Sequence, residues 1–197
     1  MTSSCRPLFR VCLLAGWLVL FSPALQAAPL SIAQLMTTLA RQPQAAATFT
    51  EKKTLAMLEQ PLESSGELLY TAPNRLEKRT LKPRAETMVL DGDTLTLSRG
   101  RRQHVLQLQD YPEVAGMVES IRATLAGDRH ALERFYTLAL SGEMEAWTLQ
   151  LVPIDPRVGK LIARIQVAGG GNEVRSVEVL QVDGDRSLMR ITPTGAQ

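Results

Sequence analysis

Cysteine, histidine and aromatic residues are scarce in this chain. Its 197 residues include two cysteines and two histidines, and aromatics make up 5%. Cys5 and Cys12 both lie in the leading segment that reads as an export signal. The mature chain would then have no disulfide, no thiolate nucleophile and no cysteine metal ligand. His104 sits among strand-like residues and His130 in a helical turn, and neither belongs to H-E-x-x-H or another metal-ligand spacing. No G-x-S-x-G elbow occurs. The carboxylate pairs Glu143/Glu145 and Asp183/Asp185 stand beside turn glycines, and Asp91-Gly92-Asp93 lacks the remainder of a calcium loop. These absences lead to the expectation of a protein that is not an enzyme and uses neither metal nor cofactor.

Long apolar runs are missing too, apart from one near the start. Arg6 and Arg10 precede the run Val11–Phe21, which Ser22-Pro23 breaks and Ala24-Leu25-Gln26-Ala27 follows. The run is too short to span a bilayer, which takes about 20 apolar residues. A basic start, a short apolar stretch and small residues mark a secretory signal. Residues 1–27 are therefore expected to be removed near Ala27, leaving 28–197 as one exported domain. Cys12 lacks the leucine and small residues that a lipidation box places before its cysteine. Loss of Arg6 and Arg10 from 22 basic residues leaves 20 against 20 acidic ones. A balanced surface argues against nucleic acid as a partner.

Short runs that alternate with period two fill the rest. Leu68/Tyr70, Met88/Leu90, Leu95/Leu97, Leu138/Leu140, Trp147/Leu149/Leu151, Leu161/Ala163/Ile165/Val167, Val177/Val179 and Met189/Ile191 all alternate with neighbours of other character. This is the pattern of half-buried antiparallel strands. Pro73-Asn74, Pro83, Asp91-Gly92-Asp93, Gly100-Arg101-Arg102, Gly142-Glu143, Asp155-Pro156, Gly169-Gly170-Gly171-Asn172 and Asp183-Gly184-Asp185 supply the turns. Two segments have helical spacing instead. One opens at Ser31, with Gln34 placed for a capping box, and carries Ile32, Leu35, Met36 and Leu39. The other opens at Tyr111-Pro112, carries Val114, Met117, Val118, Ile121 and Leu125, and ends at Gly127. A further turn or two follows to Phe135.

The order ATFTEK, then SGELLYTAPNRLEKRTLKP, then a run ending VLDGDTLTL resembles the LolA-type periplasmic lipoprotein carriers. Phe49, Gly66, Leu68, Pro73, Asn74, Pro83, Asp91 and Gly92 carry the resemblance. What it implies is a mainly β, α+β fold: an unclosed antiparallel β-barrel with an N-terminal helix and a helical lid over an apolar cavity. Combined with the alternation, it nominates Phe49, Leu68, Tyr70, Leu76, Leu95, Leu97, Met117, Ile121, Trp147 and Leu149 as the lining. It also implies an arginine near the Pro-Asn turn that bonds lid carbonyls. Glu77 stands where that arginine is expected, so Arg75 is the nearest candidate and Arg79 the second.

The function implied is a monomeric carrier of lipoprotein acyl chains or another lipid-like molecule. It would receive cargo from an inner-membrane exporter and pass it to an outer-membrane acceptor. The alternative is a periplasmic sensor or scaffold module that binds an envelope protein through the sheet edge or lid.

Overall fold

The computed structural model describes residues 29–195, so the expected signal and the expected cleavage near Ala27 lie outside the described residues. The chain opens with helix α1, Ile32–Leu39. Ser31 caps it: its hydroxyl accepts from the Gln34 amide, and the Gln34 side chain accepts from the Ser31 amide. Six strands follow: β1 Gln44–Thr54, β2 Leu62–Thr71, β3 Arg75–Lys82, β4 Glu86–Asp91, β5 Thr94–Arg99 and β6 Arg102–Gln107. Then come α2 Pro112–Ala126 and α3 Arg129–Glu133. Five strands complete the chain: β7 Tyr136–Glu143, β8 Ala146–Pro153, β9 Ile162–Gly170, β10 Glu173–Gln181 and β11 Arg186–Pro193.

The strands form one antiparallel sheet in the order β6-β5-β4-β3-β2-β1-β11-β10-β9-β8-β7. It does not close: β6 and β7 are its two edges. The fold is therefore the unclosed antiparallel sheet with a few helices that the alternation and the resemblance imply. Apart from the β1–β2 loop at 55–61, which no expected turn marked, the hairpins sit at expected turns with small shifts. The β7–β8 reversal falls at Met144-Glu145, two residues past Gly142-Glu143, and Gly169-Gly170 belong to β9 while Gly171-Asn172 make the turn.

Two apolar clusters hold the helices to the sheet. The larger joins Leu35, Met36 and Leu39 of α1, Ala123 of α2 and Leu132 of α3 to Tyr136, Trp147, Leu149, Leu151, Ile165 and Val167. The smaller joins Leu90, Leu95 and Leu108 to Val114, Ala115 and Val118 of α2. Helix α2 thus bridges the two halves of the sheet. Its docking depends on Gly116, where a Cβ would come within 2.3 Å of Val158 Cγ2. The Tyr136 hydroxyl donates to the Gly116 carbonyl at 3.0 Å, and burial pushes that phenol up to about 12.

Candidate functional site

Register defines the face that the helices cover. Successive side chains on a strand point to opposite faces. Across β2 to β6, the pairings align Tyr70, Leu76, Leu90, Leu95 and Leu106 in one row. The next row is Leu68, Lys78, Met88, Leu97 and His104. A third holds Gly66, Thr80, Glu86, Arg99 and Arg102. The first row packs under α2 through Leu76, Leu90, Leu95 and Leu106. The second is half-buried at Leu68, Met88 and Leu97, with Met88 touching the same cluster. The third is polar, with Arg99 bonded to Glu86. Apolar surface on this face therefore grades from covered to half-covered, then gives way to charge.

The eight strand residues nominated above share this helix-facing side. Phe49 lies opposite Gly66, in line with the third row, and Trp147 and Leu149 pair with Gly169 and Val167 on the other half of the sheet. Trp147 and Leu149 are sealed in the larger cluster, and the Trp147 indole donates to the Gly171 carbonyl at 3.0 Å. Met117 packs partly buried against that cluster, and Ile121 is half-buried on α2. The Tyr70 hydroxyl is buried with no hydrogen-bond partner among the described residues, and burial raises its pKa.

Two hollows mark the surface. One, of about 570 Å³, lies between α1 and the β7–β8 turn, beside Leu30, Arg41 and Met144. The other, of about 500 Å³, lies at the end of β1 and β2 and is bordered by Ala45, Tyr70, Arg75, Glu77 and Thr194. No α2 residue lines either hollow.

Two charged groups on the inner face escaped the alternation reading. Glu51 follows Phe49 by two positions on β1, shares its face, and is only 6% exposed. Its carboxylate accepts from Lys78 Nζ at 2.5 Å, Ser187 Oγ at 2.7 Å and Ser64 Oγ at 3.4 Å. Burial pushes its pKa up, but the Lys78 ammonium and these donors outweigh burial and hold it below the ordinary carboxylate value. Lys78 Nζ also lies 4.8 Å from the Phe49 ring centroid, within cation–π reach. The signal was present in ATFTEKK: the parity that turns Phe49 inward also turns Glu51 inward.

The candidate latch arginines are not brought to the helices. Leu76 and Lys78 point inward, so Arg75, Glu77 and Arg79 share the outer face. Arg75 bonds Asp91 at 2.9 Å, and Arg79 bonds Glu77 at 2.6 Å. These contacts differ from the expected bonding to lid carbonyls. The arginine that links helix to sheet turn is Arg122 on α2, whose guanidinium donates to the Gly92 carbonyl at 3.3 Å. Glu119, one turn earlier and largely buried, holds that guanidinium through Nε at 2.8 Å. Nothing in the alternation marked this pair; an acid and an arginine at i,i+3 on an otherwise apolar stripe were the available signal.

Arg122→Leu should remove the link between helix and turn at a cost of about 1–2 kcal/mol. Amide hydrogen exchange across residues 112–126 should accelerate relative to β7–β9. Unchanged exchange in α2 would mean that the bond does not hold the helix.

Among the described residues, no group of three His, Cys, Asp or Glu side chains could hold a metal ion. No helix among them is long and apolar enough to cross a membrane. A family model described as outer membrane lipoprotein carrier protein LolA-like matches residues 24–196. The chain belongs to this LolA-like family. Its match spans α1, all eleven strands and the α2–α3 insertion that covers the inner face. Among curated proteins, none matches the sequence. Solved structures to which the chain is similar include a LolA superfamily protein from Nitrosomonas europaea, 12% identical, covering 84% of this chain and 92% of that one at a TM-score of 0.45. The Pseudomonas aeruginosa MucA/MucB complex is another, 16% identical, covering 84% of this chain and 58% of that one at a TM-score of 0.46.

Proposed function

We propose that this LolA-like protein is a periplasmic carrier. It holds an acyl chain, of a lipoprotein or another lipid-like molecule, against the inner face of its sheet and moves it towards the outer membrane. The observation that carries this reading is the half-covered row Leu68, Met88 and Leu97, which lies beside the row that α2 buries. Outward movement of α2 extends that apolar surface to Leu76, Leu90 and Leu95 without breaking the sheet. Burying one CH₂ gains about 0.8 kcal/mol, so a chain of about a dozen carbons gains roughly 10 kcal/mol before ordering costs. The unpartnered Tyr70 hydroxyl offers one hydrogen bond to a polar group of the cargo. Release then follows when α2 returns to its own apolar contacts. An exporter and an acceptor at the two membranes would set the direction.

Leu97→Glu tests the face. The residue is half-buried, so the substitution places a charge in the proposed cargo path without opening the main core. Binding of a fluorescent acyl probe should fall at least about tenfold while the thermal transition persists, because a carboxylate desolvated by an acyl chain costs several kcal/mol. Normal uptake by the folded variant would remove the inner face as the cargo site. Native mass spectrometry of protein taken from the periplasm separates the alternatives. Co-purified lipid supports the carrier, whereas a lipid-free protein bound to an envelope protein supports a sensor or scaffold.

A further inference from the structure

The inner face is not the only exposed apolar surface. Met57 (86% exposed), Leu58, Leu62 and Leu81 (57% exposed) all lie at one end of the β1–β6 half. The pairings place them together. Leu62 opposes Lys53 near the end of β1, Met57 and Leu58 belong to the β1–β2 loop, and Leu81 precedes the β3–β4 turn. The Ala56 amide donates to Asp185 Oδ1 at 2.8 Å, which ties the loop to the β10–β11 turn. The same end carries Lys82, Arg84, Arg101 and Arg102, all exposed and without an ion-pair partner among the described residues. Glu86, the acid between these two basic turns, is occupied by Arg99.

The other end of this half is different in kind. Its turns, at 72–74 and 92–93, present Asp91 and Asp93, with Asp110 just beyond β6. Among the described residues, its one exposed large apolar side chain is Tyr111. The β1–β6 half therefore gathers its exposed apolar tips and unpaired cations at one end, where Glu59 and Glu63 also stand exposed in or beside the β1–β2 loop, and presents Asp91, Asp93 and Asp110 at the other.

We propose that the end bearing Met57, Leu58, Leu62 and Leu81 docks on an anionic phospholipid bilayer. Hairpin tips at one end of a sheet can meet a plane together. Small apolar tips enter the headgroup boundary, while lysine and arginine beside them pair with lipid phosphates. A flat protein partner would not need its cations spread over two neighbouring turns around separate apolar tips, whereas a lipid surface accepts that spacing. Docking this end sets the strands steeply to the membrane and turns the acidic end away. It requires nothing of the cargo site.

The test uses the exported protein isolated from the periplasm. It is mixed with vesicles of phosphatidylethanolamine and phosphatidylglycerol, or of phosphatidylcholine alone, and sedimented. Binding is expected on the anionic vesicles and should weaken with added salt. Lys82→Glu/Arg84→Glu/Arg101→Glu should lower the partition coefficient by about a hundredfold or more, the loss expected from three surface cations. Met57→Ser/Leu58→Ser should lower it on the same vesicles. All five positions are exposed, so far-UV circular dichroism should be unchanged. Equal binding to both vesicle types, or unaltered binding of the variants, would overturn the proposal. So would absence of vesicle binding with loss of cross-linking to an acidic envelope protein in the same variants.

Discussion

Lys78→Met should destabilise the protein by about 3 kcal/mol, towards the lower end of the range for breaking a buried ion pair. The figure sits there because the Lys78 side chain retains 22% exposure, whereas Glu51 is 6% exposed. After the change, the Glu51 carboxylate keeps the Ser187 and Ser64 hydroxyls and the more distant Lys53 ammonium at 3.5 Å. It loses its nearest cation. The pH dependence should then change sign. In the natural protein the Glu51 pKa is held below its ordinary value, so the stability it contributes is present above about pH 4.5 and is lost as pH falls through the lower, folded value. Without Lys78, burial dominates and lifts that pKa above the unfolded value. Stability linked to Glu51 should then decline as pH rises from the unfolded value towards the folded one. Urea unfolding of both proteins at acid and neutral pH reads this directly. Adding Glu51→Gln should recover most of the loss at neutral pH, since the neutral amide oxygen accepts from one serine while its NH2 donates to the hydroxyl oxygen of the other. If Lys78→Met unfolds at the same urea concentration as the natural protein throughout, the pair has no structural weight.

Gly66→Ala should be at least as damaging. An alanine Cβ at that position would lie 1.9 Å from the Arg79 carbonyl oxygen and 2.9 Å from its carbon. Those are backbone atoms of the neighbouring strand, so no rotamer change relieves the clash. The β2–β3 ladder shifts register at Ser65/Gly66, a bulge that brings the two backbones together. Either β3 moves outward or its pairing breaks near Arg79. Both disturb the segment that carries Lys78. A loss of about 3 kcal/mol or more is expected, with strain and lost hydrogen bonds acting together. Thermal unfolding measures it. A change in transition temperature of only a degree or two would mean that the bulge relaxes freely.

Much of this architecture was legible because apolar alternation and turn residues are local signals. Trp147-x-Leu149-x-Leu151 gives the inward parity of β8, and the register across β8–β10 keeps Val167 and Val177 on that side. The capping box at Ser31 and the left-handed Gly127 set helix ends through backbone demands that read directly from residue type. The charged groups were harder. Glu51 and Lys78 belong to different strands, and each is a poor core residue alone. Their burial becomes acceptable only when β1, β2 and β3 align, and no local window contains that alignment. Arg75 and Arg79 illustrate the reverse case. Proximity to Pro73-Asn74 made them attractive, yet strand parity turns both outward to Glu77 and Asp91. Arg122 lay outside the expected region because its acceptor, Gly92, is distant in sequence.

The central place of β1 and β11 in the sheet has a consequence for biogenesis. Phe49 pairs with Ile191, and the Glu51–Ser187 bond joins residues 136 positions apart. Chain that emerges from its N-terminus supplies β11 after every other strand. Until then β1 has an unpaired edge, and Glu51 lacks one of its donors. Closing so long a loop is entropically expensive and slow. The seam in mid-sheet therefore acts as a completion check. A truncated or stalled polypeptide exposes a central strand to chaperones and proteases, and only a fully delivered one conceals it.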